Sequence, residues 1–165
     1  MSPVKKRYLL LLAVLIIGLI VNSCKKTGLN AIPALFTGGT WQLASIETKN
    51  YIGNQQTKDT TINDTCGQHF TFNADNTCTY TTFNCITQTA SGTWTLTPNQ
   101  LYLNADMVCK DTSAAGTSKP FINAQINNLG VYSMILYTGD IAPNYSLTQP
   151  RTIVIYGFVR VKTNQ

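Results

Sequence analysis

Five cysteines, at positions 24, 66, 78, 85 and 109, hold most of the reactive chemistry available to this 165-residue chain. A cysteine can bind a metal, attack an electrophile or pair as a disulfide. Zinc is the weakest of these readings, because the chain has no Cys-x-x-Cys pair and only one histidine, His69. That histidine alternates with Phe70, so a strand would turn it outward as a surface side chain. A Ser-His-Asp set would need His69 and a Gly-x-Ser-x-Gly elbow, which the sequence lacks. Asp59, Asp64, Asp106 and Asp111 fall in polar connections without calcium-loop spacing. No glycine-rich phosphate loop occurs. With no nucleophile–base pair, the expectation is a protein that is not an enzyme, with no catalytic residue, metal or cofactor.

Cys24 stands apart from the other four. It ends an uncharged run from Tyr8 to Val21, preceded by Lys5, Lys6 and Arg7 and followed by Lys25 and Lys26. Those 14 residues would make a helix of about 21 Å at ~1.5 Å per residue. A spanning helix needs roughly 20 residues, so a secretory signal is the better reading than a retained anchor. Val21-Asn22-Ser23-Cys24 resembles the lipobox of bacterial lipoproteins: aliphatic, variable, small, then Cys. Asn22 departs from the commonest residue at its place. The resemblance implies cleavage after residue 23, acylation of Cys24 and tethering to a membrane. Two or more acyl chains anchor stably where one does so only marginally.

The expected mature chain, residues 24–165, has length for one domain with a real core. Nine basic side chains then face seven acidic ones. That excess is too small, and too scattered, for a nucleic-acid surface. Thr, Asn, Tyr, Val and Ile are plentiful while Glu, Lys and Ala are scarce, which is strand composition. Residues 24–37 show no period and read as a tether, leaving residues 38–165 as the folded domain.

Strands follow in quick succession. TWQLASIET alternates from Trp41, and TKDTTIND makes a more polar second strand. QHFTFNADNTCTYTTF is a hairpin with Asn73–Asn76 as its turn. A turn there sets Phe72 opposite Cys78 and Phe70 opposite Tyr80. The same register brings Cys66 near Asn84 and Cys85. Four cysteines allow three pairings; this register favours Cys66–Cys85 and leaves Cys78–Cys109. SGTWTLTPNQLYLNA is a second hairpin, turning at Pro98-Asn99. A polar loop, Met107 to Ser118, then carries Cys109. Phe121 to Asn128, Tyr132 to Tyr137 and Thr152 to Lys162 complete about nine strand candidates, with Gly157 marking a bulge or bend and no stretch of helical period. The fold class is all-β: an antiparallel up-and-down barrel of about eight strands, closed so that no edge is exposed.

Gly39-Thr40-Trp41 is similar to the Gly-x-Trp that opens the lipocalin barrel. FTFNADNTCTY and the later SGTWTLTPNQLYL resemble the middle of lipocalin-like lipoproteins of the kind common in Bacteroidota. The resemblance is good from Gly39 to about Leu103 and holds in outline beyond. It implies an eight-stranded barrel with a closed end near Trp41 and a mouth formed by loops. It also implies an Arg on the last strand lying across that Trp, with Arg160 the candidate and Arg151 the runner-up.

Small barrels are filled by side chains or hold one small ligand. Trp41, Trp94, Phe70 and Phe72 argue for filling, whereas Tyr80, Tyr102, Tyr132 and Tyr137 offer the ring and polar tip of a ligand site. The first functional expectation is a lipid-anchored envelope protein binding a small apolar or amphipathic molecule. The second is a protein-interaction module, an inhibitor of a wall-degrading hydrolase or an accessory subunit of an outer-membrane complex, that engages one envelope protein through the loops Met107 to Ser118 and Thr138 to Arg151. The place is expected to be the outer membrane. Acidic residues directly after the lipid cysteine go with surface display in the lipoproteins it resembles, and Lys25-Lys26 stand there instead, so the resemblance implies the periplasmic side, with surface display as the alternative.

Overall fold

The computed structural model describes residues 31–161. The cleavage site, Cys24 and Lys25–Lys26 lie outside the described residues. The chain divides into Met1–Ile32 and a compact unit from Pro33 onward, which holds every strand among the described residues.

The chain enters through a short helix, α1 (Ala31–Thr37). Pro33 is tolerated in its first turn, where its missing N–H has no partner to lose, and Gly38-Gly39 end it. This corrects the tether expected over residues 24–37. Its last part is helical and buries Phe36 completely. About two turns with one fully buried side chain carry no readable period.

Eleven strands follow: β1 (Thr40–Ile52), β2 (Gln55–Asn63), β3 (His69–Phe72), β4 (Thr77–Thr81), β5 (Thr89–Leu96), β6 (Tyr102–Ala105), β7 (Cys109–Lys110), β8 (Thr117–Ser118), β9 (Ala124–Leu129), β10 (Ser133–Gly139) and β11 (Pro150–Arg160). Eight of them close a ring in the order β1-β3-β4-β5-β6-β9-β10-β11, and β11 returns to β1. Every pairing is antiparallel. β7 and β8 form a small ribbon inside the β6–β9 connection, a pairing not expected in the polar loop.

β1 is long because it has two jobs. One of its edges pairs with β11 along nearly its whole length. Its other edge pairs with β3 at Thr40–Gln42 and with β2 from Ser45 to Ile52. β2 and β3 thus lie end to end along β1, and the link between them, residues 64–68, sits beside the barrel wall. A bulge at Ala44, opposite Gly157, shifts the phase of β1. Before it, Trp41 and Leu43 face inward; after it, Ile46 does so, level with Tyr156.

Aromatic rings fill the barrel. Phe70 packs at a tilt against Phe72 at 4.0 Å and against Phe121 at 4.8 Å, and Phe36 meets Phe72 edge-on at 4.9 Å. Tyr80, Trp94, Tyr156 and Phe158 continue the cluster. Such rings contribute large buried areas and favour offset and edge contacts of this kind. Phe70↔Tyr80 and Phe72↔Cys78 pair as the hairpin register requires.

Candidate functional site

Beyond the bulge, β1 and β2 rise past the filled core, and their inner faces carry apolar side chains into an opening. Ile46 lies opposite both Tyr156 on β11 and Ile62 on β2. Every residue of β2 is exposed, because no strand covers its outer edge. Ile62 is 64% exposed, which is costly for an isoleucine with nothing to meet. Leu43, Ile46 and Ile62 form the apolar wall of an open recess of about 200 Å³, and Asn63, Gln68 and Asn84 form its polar side.

The recess owes its shape to two stapled segments. Cys66 and Cys85 form a disulfide, as the hairpin register predicts. It joins residues 64–68 to the turn after β4, where Thr82, Asn84 and Cys85 all have positive φ. Backbone of this kind in non-glycine residues costs roughly 1–3 kcal/mol each and persists only where its surroundings enforce it. Here the enforcement is visible. Asn84 N–H donates to Gln68 Oε1 at 3.2 Å, Tyr80 Oη donates to the same oxygen at 3.2 Å, and Gln68 Nε2 donates to Asp64 at 2.9 Å. The other carboxylate oxygen of Asp64 accepts from the N–H groups of Gly67 at 2.9 Å and Gln68 at 3.0 Å. Burial works against the Asp64 charge, but these donors outweigh it and hold its carboxyl below the usual range. Burial pushes the Tyr80 phenol up, so it stays a neutral donor.

The four tyrosines proposed from sequence do not converge. Tyr80 is completely buried and belongs to this polar chain. Tyr102 and Tyr137 alternate with buried Leu103, Leu136 and Thr138, so they lie on the outer face. Tyr132 is 72% exposed in the β9–β10 turn, at the end opposite the recess. For the three strand tyrosines the reason is parity: a strand presents every second residue inward, and only Tyr80 has the inward phase. Unbroken alternation puts Ile46 with Gln42 and Ala44 on the face opposite Trp41; the bulge at Ala44 corrects this and turns Ile46 to the side of Tyr156 and Ile62. The pairing of two isoleucines across β1 and β2 was the available signal, and none marked Gln68.

The second disulfide is a correction. Cys78 and Cys109 are separate thiols, both buried. Cys78 faces the core beside Gly92, and Cys109 lies in β7. The β3–β4 register places Cys78 opposite Phe72, but no register reaches Cys109, so the expected pairing of the two rests on elimination alone. Burial, followed by the charge of Asp106, pushes the Cys78 thiol up to about 12. Burial, followed by Asp111, pushes Cys109 up to about 11. Both therefore stay protonated and inert at neutral pH.

The other end of the barrel is shut. Arg160 lies over the Trp41 ring, 4.1 Å from its centroid, and donates to the carbonyls of Val131 and Leu35. Trp41 Nε1 donates to Phe36 O at 3.1 Å, tying α1 down. The runner-up, Arg151, sits at the open end instead, between the rings of Tyr51 at 4.7 Å and Tyr145 at 3.8 Å. His69 is half-buried on the face opposite Phe70.

A closed up-and-down barrel of eight antiparallel strands, shut at one end and recessed at the other, places the chain among the small β-barrels, a fold that fits a ligand-binding role. Residues 38–136 match the family model described as a lipocalin-like domain. The chain belongs to that family, whose fold generally serves binding rather than catalysis. Comparison with curated proteins and with solved structures gave no match.

Proposed function

We propose that this chain is exported, cleaved before Cys24 and acylated there, and that its barrel holds a small apolar or amphipathic molecule at the open end. The observation that carries the reading is the recess beside Ile46 and Ile62, an apolar wall facing a fixed polar rim. Its 200 Å³ falls below the roughly 300–1,000 Å³ of drug-sized sites. It suits the end of one acyl chain or a single small ring. Binding rather than turnover is favoured because Asp64, the carboxylate at its wall, has its oxygens engaged by Gly67 and Gln68. The expected place is the envelope, at the outer membrane on its periplasmic side, where a disulfide such as Cys66–Cys85 survives.

The test uses a fluorescent fatty acid as probe and a lipid extract of the envelope as competitor. The intact chain should bind the probe, and Ile46→Trp, which fills the recess, should weaken binding at least tenfold while the barrel still melts cooperatively. Unchanged binding in Ile46→Trp would reject the recess as the site. Intact mass of the processed protein should show acyl chains on Cys24.

The filled barrel centre favours a second reading, a module for one envelope protein. Val108, Ile122 and Leu147 are all more than half exposed on connections at the open end. Cross-linking in intact envelopes that traps one stoichiometric protein, with no lipid co-purifying, would select it.

A further inference from the structure

The end of the barrel opposite the recess has an apolar rim with nothing in the described residues to cover it. Three turns meet there: residues 73–76, 97–101 and 130–132. Leu101 is 53% exposed, Val131 57% and Tyr132 72%. Leu101 and the Val131–Tyr132 tip lie on neighbouring turns, because β6, β9 and β10 are adjacent in the sheet. Val159, 45% exposed, lies opposite Ser133 next to that tip. A two-residue apolar tip is an unfavourable choice for a turn facing water.

Charge is distributed in the opposite sense. Six of the seven acidic side chains, Glu47, Asp59, Asp64, Asp106, Asp111 and Asp140, belong to the open half or its connections. Only Asp75 lies in a turn of the closed end. Among the described residues the cation there is Arg160, laid across Trp41 with its N–H groups donated to backbone carbonyls. This end could leave water with little charge to desolvate.

The covalent chain supplies the third observation. Eight residues, and so nine Cα–Cα steps, separate Cys24 from Pro33, where the compact unit begins. At ~3.3–3.6 Å per residue they reach at most about 32 Å. Pro33 belongs to the segment bound to the closed end through Phe36, Leu35 and Arg160. Lys25 and Lys26 lie on that connection, and Lys162 follows two residues after Arg160. Each suits an anionic headgroup layer.

We propose that the closed end is a membrane-docking surface. On this assignment Val131 and Tyr132 enter the boundary between headgroups and acyl chains of a phospholipid bilayer, and the recess faces away from it. The proposal rests on the acylation of Cys24. Tyrosine suits that depth, having an apolar ring and a polar tip. The docked orientation leaves the recess open to the aqueous side, so a ligand would be taken from, or passed to, something other than the bilayer that holds the protein.

The acylated full-length protein is reconstituted into vesicles of phosphatidylethanolamine and phosphatidylglycerol. An environment-sensitive dye is placed on Val131→Cys, and on Thr57→Cys in β2 as the distal control; Cys78 and Cys109 are buried and stay unlabelled. Lipids carrying a quencher near the top of the acyl chain should quench the Val131→Cys dye severalfold more than the Thr57→Cys dye. Tyr132→Asp should remove most of that difference without moving the melting midpoint. Equal quenching at both sites on protein that still floats with vesicles would overturn the docking surface and leave the anchor standing. A protein that carries no acyl group and does not float would overturn both. Protection of the Val131→Cys dye only when envelope proteins are added would also overturn it, making this end a protein contact.

Discussion

Cutting the Cys66–Cys85 bridge should cost the barrel about 3 kcal/mol and disable the recess beside it. The bridge spans a sequence separation of 19. Restricting the unfolded chain costs it entropy of about 2.1 + 1.5R ln n cal/mol/K, roughly 11 here, or about 3 kcal/mol at 25 °C. For a domain of this size 1 kcal/mol moves Tm by roughly 3–4 °C, so a fall of about 10 °C is expected. The hairpin β3–β4 lies within the loop. Any of it that survives unfolding makes this figure an upper value.

The assay is urea unfolding of Cys66→Ser/Cys85→Ser against the parent, followed by tryptophan fluorescence and far-UV circular dichroism. Mild reduction of the parent is the second arm, since Cys85 is exposed while Cys78 and Cys109 are already thiols. Both arms should shift the midpoint alike. Binding should fall further than stability does, because Thr82, Asn84 and Cys85 would relax from their positive φ angles and Asn84 would leave Gln68. Coincident unfolding curves would refute the stability argument. A shifted curve with unchanged probe binding would refute the link between bridge and recess.

The remaining predictions concern the core, the closed end and the loop carboxylate. Thiol titration should find neither Cys78 nor Cys109 reactive in the native protein, two thiols after unfolding without reductant, and four after unfolding with it, Cys24 aside; no thiol in the second sample would restore the bridge first expected between them. Arg160→Ala should cost about 2–4 kcal/mol by calorimetry, from a lost cation–π contact and two carbonyls left without a donor, with Arg160→Lys recovering only part. Gly92→Ala should cost about 1–3 kcal/mol by overpacking, since a Cβ there would sit 2.5 Å from Asp106 Oδ1 and 2.6 Å from Met107 N. Asp64 has a lowered carboxyl pKa, so its contribution is fully present above the unfolded value near ~3.9 and is lost as pH falls through the folded one. Asp64→Asn should flatten that acid limb of stability measured against pH.

How much of this was legible depended on whether a residue's role was local. The β3–β4 register followed from the alternation around Phe70 and Phe72 and a four-residue turn, and it carried Cys66–Cys85 with it. The Trp41–Arg160 contact followed from family resemblance and is present. What failed needed long-range placement. Cys109 lies in a two-residue strand inside a connection, so no register reached it. Phe36 is held by rings from β3 and β5, which nothing within α1 announces. The tyrosines failed on parity: tyrosine is amphipathic enough to sit on either face, so its identity did not say which.

The bulge at Ala44 explains why a barrel packed with rings can still present a recess. Without it β1 would keep Trp41 and Leu43 in phase with Ser45 and Glu47, and Ile46 would point to solvent. The extra residue puts Ile46 inward instead, level with Tyr156 and Ile62, while Gly157 leaves room for Ser45, whose Oγ would lie 3.0 Å from any Cβ there. One inserted residue therefore separates a lower half devoted to stability from an upper half that keeps an apolar face uncovered. The core can then be filled without occupying the site. Natural variation that removed the bulge would be expected to spare the fold and abolish the recess. Deleting Ala44 tests this directly: probe binding should be lost from a protein that still melts as a barrel, and retained binding would mean that the opening owes nothing to the phase of β1.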